Sequence, residues 1–203
     1  MLRDKIIVFG TLIALILIVF IKALSNGEPY CPHNTNSIYK SIFMSQDGRI
    51  IDYERDNITT SEGQSYIMLR SVLTDDKPTF DLTYNWAKIN LRRNDNLYSW
   101  LWGKNKDGNS EILDNNSAAD ADMDIAFALI LAYQTWNEKS YLDDALKTIN
   151  SIWNMETRTI SDHVVLMPGV SQTVSKKIEI NPSYFSPYEF KIFAKYDKTH
   201  NWN

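Results

Sequence analysis

Three aspartates lie at the start of a long apolar segment in the second half of the chain. Asp120, Asp122 and Asp124 lead into the run from Ile125 to Tyr133, in which every residue is apolar. Such a pattern predicts a helix over 121–137 that is packed on all sides, with carboxyl groups at its N-terminus. Acids in a first turn are stabilised by capping and by the helix dipole, which is one interpretation. The other is that they face a cleft and do chemistry there.

A second acid lies at the start of another predicted helix. Thr59 and Glu62 have the spacing of a capping box, in which the glutamate would only satisfy the backbone. The helical face of Glu62 also continues through Tyr66 and Leu73, so we expect its carboxyl to lose hydration, as suits a general acid. Two carboxyl groups in unlike surroundings at one cleft are what glycosidic bond cleavage requires.

Three segments of the chain, in this order, resemble glycoside hydrolase family 8. They are SEGQSYIMLRSVL at 61–73, ADADMDIAFALILAYQTW at 119–136 and NPSYFSPYEFKIFAKYD at 181–197. The resemblance runs from about Tyr39 to Asn203, and members of this family include bacterial endoglucanases, chitosanases, lichenases and xylan-acting enzymes. The family usually has Ser or Thr before the first signature aspartate, where this chain has Ala119 and so lacks a hydroxyl group.

The resemblance implies a hydrolase that cleaves β-1,4-linked polysaccharide by an inverting acid/base mechanism. At the matching positions, Glu62 would be the general acid that protonates the leaving oxygen. Asp120 would line the central subsite, where it holds sugar hydroxyls or helps to place water. The further substrate contacts that we predict are Trp100, Asp122, Asn181 and Tyr184. For Asn181, a plain helix-start signal is the alternative interpretation.

An inverting enzyme also needs a carboxylate that activates water from the opposite face of the sugar. In cellulase-like members of the family, the resemblance puts this base downstream of the segment that matches NPSY. We therefore expect weak or no hydrolysis by these 203 residues alone. Cellulose, mixed-linkage glucan, chitosan and xylan all stay open as substrates.

The aromatic residues before the aspartate segment have two interpretations. Sugar rings stack on indole, so Trp100 is predicted to be a platform for a sugar, whereas Trp86 and Trp102 are predicted to pack in the core. The segment NLYSWLWG alternates in the manner of a strand or a loop edge.

The predicted fold is an all-α domain of the (α/α)6 barrel type, which is a six-hairpin barrel. Five core helices are predicted, at roughly 61–74, 80–93, 121–137, 140–154 and 187–197. The family fold has about twice as many helices, so we expect about half of a barrel, which a second chain could complete. A small β-hairpin insert is predicted from HVVLMPG, with Pro168-Gly169 as its turn, and from the alternation over Thr173–Ile180.

The N-terminal segment predicts a location at the membrane. An apolar run covers residues 6–21, with Arg3 and Lys5 before it, which is typical of a signal anchor or signal peptide over 1–24. The absence of an Ala-x-Ala pattern favours an uncleaved anchor with the domain outside the cytoplasm, and a cleaved leader would make the protein secreted. A linker over 25–38 and a partial family 8 catalytic domain over 39–203 follow.

Composition excludes several classes of function. The net charge is −4 and there is no basic stripe that could follow a phosphate backbone, so we expect no nucleic-acid partner. The single cysteine, Cys31, excludes an intrachain disulfide. The three histidines have no ligand spacing, so we expect neither a metal nor a cofactor.

Two further hypotheses come from other classes of function. The chain could be a non-catalytic, membrane-anchored protein that binds glycans through its aromatic residues, in which case binding would survive the loss of Glu62. It could also be a membrane-anchored helical interaction protein with no role in sugar chemistry. The latter would be expected to show a repeat across its helices, and the sequence has none.

Overall fold

The computed structural model describes residues 33–202, and the compact unit that carries the site begins at Asn36. The predicted anchor over 1–24 lies outside the described residues. Within residues 33–202, no helix combines the length and the apolar character needed to cross a membrane.

Helices make up most of the described chain. In order, they are α1 (His33–Phe43), α2 (Ser61–Leu73), α3 (Lys77–Asn90), α4 (Ala119–Trp136), α5 (Lys139–Glu156), α6 (Val170–Val174) and α7 (Pro187–Tyr196). The strands are β1 (Thr59–Thr60), β2 (Ser99–Lys104), β3 (Ser110–Ser117), β4 (Thr157–Ile160) and β5 (His163–Leu166). A short 3₁₀ helix covers Pro182–Tyr184.

The mostly helical fold and its five core helices are confirmed, as α2 to α5 and α7. Helix α3 begins three residues earlier than predicted because the Asp76 side chain accepts a hydrogen bond from the Thr79 amide, and Pro78 fits the first turn. Helix α1 was not predicted, and it begins inside the stretch that the sequence indicates as a linker, 25–38.

Helix α4 lies at the centre of the unit. Its side chains Ile125, Leu129 and Ile130 are fully buried, as its unbroken apolar run predicts. Helix α2 packs against α4 on one side, and α5 packs against it on another. The chain reverses after α4 because Asn137 adopts the left-handed conformation, with a φ of 55°, and α5 follows almost at once. Helices α2 and α3 pack on each other as a second sequential pair.

A three-stranded antiparallel sheet joins the starts of two helices, and it was not predicted beyond the strand-like pattern of NLYSWLWG. Thr60 in β1 pairs with Leu101 in β2, and Ser99 in β2 pairs with Ser117 in β3. Strand β1 runs directly into α2, and β3 is separated from α4 by Ala118 alone. The sheet therefore holds the N-termini of α2 and α4 close to each other.

The small hairpin insert is present and HVVLMPG supplies its strand β5, as predicted, but the partner strand is β4 and not the stretch over Thr173–Ile180. Strand β4 continues from the end of α5 and pairs with β5 through a turn in which Ser161 and Asp162 have positive φ. Pro168-Gly169 does not form the turn, because its backbone packs against the start of α4. The Pro168 carbonyl accepts from the Ala119 amide at 3.0 Å, and a Cβ on Gly169 would lie 2.3 Å from the Ser117 carbonyl oxygen.

Candidate active site

The first turn of α2 leaves the Glu62 side chain free of capping. The N-cap is Thr60, whose hydroxyl oxygen accepts from the Gly63 amide at 3.0 Å. Thr59 instead donates its hydroxyl to the Ile50 carbonyl at 2.6 Å. The capping box predicted from Thr59 and Glu62 is therefore not formed.

A cavity of about 460 Å³ lies where α2, α4 and the segment before α7 meet. It is lined by Glu62, Tyr66, Asp120, Asp124, Ser183, Tyr184, Ser186 and Glu189. Three of the predicted site residues, Glu62, Asp120 and Tyr184, are thus brought together. Four of the lining side chains carry carboxyl groups, and within the described part of the chain no lining side chain is basic.

Glu62 is exposed at the mouth of this cavity, which differs from the expectation that it loses hydration. The face that it shares with Tyr66 and Leu73 is open, since these side chains are 51% and 71% exposed. The Tyr66 hydroxyl donates to Glu62 Oε1 at 2.5 Å, and this bond raises the pKa of the phenol. Tyr66 lies four residues after Glu62, a spacing from which this contact could have been predicted.

Asp120 is a half-buried acid of the cavity. Its Oδ1 accepts from the Ala121 amide at 2.9 Å. Burial raises the pKa of Asp120 to about 6, and the nearby Glu62 and Asp124 carboxylates act in the same direction. The carboxyl therefore changes protonation at mildly acidic pH. Burial is also the largest cause that raises the pKa of Tyr184, and the Asp120 charge adds to it.

Asp124 and Glu189 form a hydrogen-bonded pair of carboxyl groups in the wall of the cavity. Ser65 Oγ lies 3.3 Å from Asp124 Oδ2, and Glu189 shares a hydrogen bond with the same carboxyl. Glu189 is 7% exposed, and burial followed by the bond to Asp124 raises its pKa to about 9. Glu189 was not predicted from the sequence; its position in the first turn of α7, directly after the NPSY segment, was the available signal.

Asp122 lies away from the cavity, inside the core. Its side chain is fully buried, and Oδ1 accepts from the Tyr98 amide at 2.8 Å. Burial and the neighbouring Glu156 raise the pKa of Asp122 well above its ordinary value. Asp122 therefore packs in the core and does not line the cavity, although it was predicted to contact the substrate.

Trp100 and Asn181 are not among the residues that line the cavity. Trp100 is half-buried on β2, between Ser99 and Leu101, the residues that pair with the strands leading to Asp120 and Glu62. Asn181 accepts from the Ser183 amide at 3.1 Å and begins the 3₁₀ turn, in agreement with the helix-start interpretation. By holding this turn, Asn181 positions Tyr184.

Trp86 and Trp102 pack together, as predicted. Their rings meet edge to face at 5.3 Å, and Trp86 is 5% exposed. Across residues 33–202, no group of three or more histidine, cysteine, aspartate and glutamate side chains is arranged to hold a metal ion.

Comparison with known proteins identifies the family. The family model for glycosyl hydrolases family 8 matches residues 11–203. An endoglucanase of Escherichia coli (strain K12) is 35% identical over 164 residues, which cover 78% of this chain and 45% of the relative. An endoglucanase of Cellulomonas uda is 34% identical, over 80% of this chain and 45% of the relative.

Comparison with solved structures leads to the same family. The family 8 endoglucanase Cel10 from Klebsiella pneumoniae matches with a TM-score of 0.77 and 33% identity, over 83% of this chain and 55% of that structure. The endo-1,4-D-glucanase from Vibrio fischeri ES114 matches with a TM-score of 0.78 and 32% identity, over 84% and 51%. The chain spans about half the length of the relatives that it matches. On this family match, which extends over the segments that carry Glu62, Asp120 and Tyr184, the chain belongs to glycosyl hydrolases family 8.

Proposed function

We propose that the protein is a glycosidase whose cavity binds and cleaves β-1,4-linked glucan. One observation carries the proposal: Glu62 and Asp120, from the first turns of two different helices, line the same cavity. The Glu62 carboxyl is open to solvent, whereas the pKa of the Asp120 carboxyl is raised. These are two acids in unlike surroundings, as glycosidic bond cleavage requires. The relatives named endoglucanases support glucan as the substrate.

In this proposal Glu62 is the general acid. Tyr66 donates to Oε1, so Oε1 is an acceptor, and the proton delivered to the leaving oxygen belongs on Oε2. A bound glucan would cover the exposed face of Glu62 and remove water from it. Loss of water makes a carboxyl hold its proton and deliver it to the sugar oxygen.

Asp120 and Tyr184 hold the sugar or the attacking water. Asp120 is partly protonated near pH 6 and can then either donate or accept a hydrogen bond. Tyr184 lines the same cavity, shares a hydrogen bond with Asp120 and offers a hydroxyl group. Inversion also requires a base on the opposite face of the sugar, which we assign to no residue of this chain. Without that base, hydrolysis would be slower by about 10²–10⁴-fold, whereas binding would be kept.

The charge of the cavity bears on which polysaccharide binds. Four carboxyl groups, with no basic lining side chain in the described range, disfavour an anionic polymer. A neutral glucan binds by hydrogen bonds and ring stacking, and cationic chitosan would be attracted by charge. Chitosan is therefore the second substrate to test.

The test is reducing-sugar release from soluble β-glucan and from chitosan by the full chain in mild detergent, with binding of cello-oligosaccharides measured in parallel. We expect Glu62→Gln to abolish release from β-glucan and to leave oligosaccharide binding within about threefold, since Gln keeps the size and polarity of the side chain. Glu54→Gln, at an exposed glutamate outside the cavity, is the matched control.

Release that persists in Glu62→Gln would refute the assignment of the general acid. Binding without release in either protein would support the non-catalytic glycan-binding alternative. A folded protein that neither binds oligosaccharide nor releases reducing sugar would contradict the proposed function as a whole.

A further inference from the structure

One wall of the cavity is formed by the 3₁₀ turn and the start of α7. The Tyr188 ring packs edge to face on Phe127 at 5.6 Å, but Tyr188 is 63% exposed. The bond between Glu189 and Asp124 is different, because Glu189 is 7% exposed. A polar contact that is shielded from water is a stronger constraint on position than one at the surface.

The Asp124 carboxyl joins three elements at this point. It belongs to α4, it lies 3.3 Å from Ser65 Oγ of α2, and it bonds to Glu189 of α7. Ser65 Oγ also lies 2.8 Å from the Glu62 carbonyl oxygen, so the contact reaches the turn that carries the proposed general acid. Glu189 therefore connects the wall that bears Tyr184 to the helices that bear Glu62 and Asp120.

The charges around this pair decide which carboxyl holds a proton. The titratable groups that line the cavity together with Glu189 are Glu62 and Tyr66 from α2, Asp120 and Asp124 from α4, and Tyr184 from the 3₁₀ turn. None of these side chains is basic, so none would offset the two negative charges that ionising both members of the pair would place together. Burial raises the pKa of Glu189 to about 9, and Glu189 is thus neutral at pH 7.

We propose that Glu189 is a positioning residue, which as a neutral carboxylic acid donates a hydrogen bond to Asp124 and holds the turn of Tyr184 beside Glu62 and Asp120. Its effect on glucan binding rests on the proposed function, whereas its effect on the position of the wall does not. When the wall opens, Glu189 gains water and loses its proton. Opening therefore becomes easier as pH rises from the ordinary range of a carboxyl up to about 9.

The test of position is amide hydrogen exchange in peptides over 181–196, measured on the full chain in mild detergent from pH 6 to pH 9 and corrected for intrinsic rates. In the wild type, the opening constant should rise by up to about tenfold per pH unit, since one proton is released. Glu189→Gln should show little of this rise, because its amide donates to Asp124 without titrating. Glu179→Gln, at an exposed glutamate of the same connection, should behave like the wild type.

Glu189→Leu removes the donor and should lose protection over 181–196 at every pH. If this variant fails to fold, the pH dependence of the opening constant in wild type and in Glu189→Gln still tests the proposal. The same pH dependence in wild type and Glu189→Gln would overturn the proposal, and so would a loss of protection in Glu189→Gln equal to that in the leucine variant.

Cellopentaose binding, measured at pH 6.5 and pH 9, tests whether the position of the wall affects glucan binding at the site. For each protein, the dissociation constant at pH 9 is divided by the one at pH 6.5. We expect this quotient to be about tenfold larger in wild type than in Glu189→Gln. Comparing the two quotients removes the effects of other titrating groups. If the exchange result holds but no variant binds cellopentaose, the positioning role stands and the proposed function fails. Equal binding by wild type and Glu189→Leu would overturn the effect on the site.

Discussion

At the residue scale, the spacing of the aspartates explains which of them reach the cavity. Asp120 and Asp124 are four residues apart and share a face of α4, whereas Asp122 points to the opposite side, into the core. Helical geometry therefore separates the three acids. The sequence motifs were sufficient to predict that Glu62, Asp120 and Tyr184 lie at one site. Glu189 follows the NPSY segment closely, but that position alone did not indicate its role, which depends on the packing of α7 against α4.

Tyr66 gives a prediction at this scale. Tyr66→Phe removes the donor to Glu62 Oε1 and should lower the rate of glucan hydrolysis by about three- to tenfold, in line with the roughly 0.5–1.5 kcal/mol of a typical hydrogen bond. Stability should change by less than about 0.5 kcal/mol, since the ring is 51% exposed. The measurement is kcat on soluble β-glucan, with long incubation, together with the urea midpoint.

Tyr53→Phe is the control for this variant, because Tyr53 is 54% exposed and lies outside the cavity lined by Glu62 and Asp120. An aryl glucoside with a good leaving group needs little help from an acid, so Tyr66→Phe should affect it less than β-glucan. An equal loss on both substrates would show that Tyr66 does not act through Glu62.

At the element scale, short strands and buried acids connect the helices. The five core helices were predictable because each extends over several turns and shows its period. Strand β1 has only two residues and β4 only four, so neither shows a period, and the partner of β1 is distant in sequence. Asp122 is one of these connections. It links α4 to Tyr98 before β2 and, through Glu156 at the end of α5, to Ser117 at the end of β3.

The pair of Asp122 and Glu156 predicts how stability depends on pH. Burial raises the pKa of Glu156 to about 8, so the folded state holds a proton that the unfolded state releases above the ordinary range of a glutamate. The stabilisation is fully present at acidic pH and is lost as pH rises from about 5 to about 8. Glu156→Gln keeps an acceptor for the Ser117 hydroxyl and removes the titrating proton.

The measurement is the free energy of unfolding by urea at pH 5, 6, 7 and 8, for wild type, Glu156→Gln and the exposed control Glu54→Gln. The stability of Glu156→Gln relative to wild type should increase with pH, by at most about 1.4 kcal/mol per unit. The control should follow the wild type. A difference between Glu156→Gln and wild type that is independent of pH would mean that Glu156 is ionised in the folded protein.

At the scale of the whole molecule, the described residues present two cavities of similar size with different chemistry. One, of about 460 Å³, is lined by the four acids. The other, of about 500 Å³, is lined by aromatic and apolar side chains that include Trp153, Phe190 and Trp202. Indole rings also bind sugars, so volume and aromatic content alone would favour the second cavity. We assign glucan binding to the first cavity because it holds the carboxyl groups that cleavage needs.

The location of bound glucan tests this assignment most directly. Cellopentaose should be titrated into the isotope-labelled full chain in mild detergent, and the perturbed backbone amides should be mapped by nuclear magnetic resonance. We predict perturbations over 61–66, 119–124 and 181–189, the segments that line the acidic cavity. Perturbations confined to Trp153, Phe190 and Trp202 and their neighbours would contradict the assignment, because glucan would then bind away from Glu62 and Asp120.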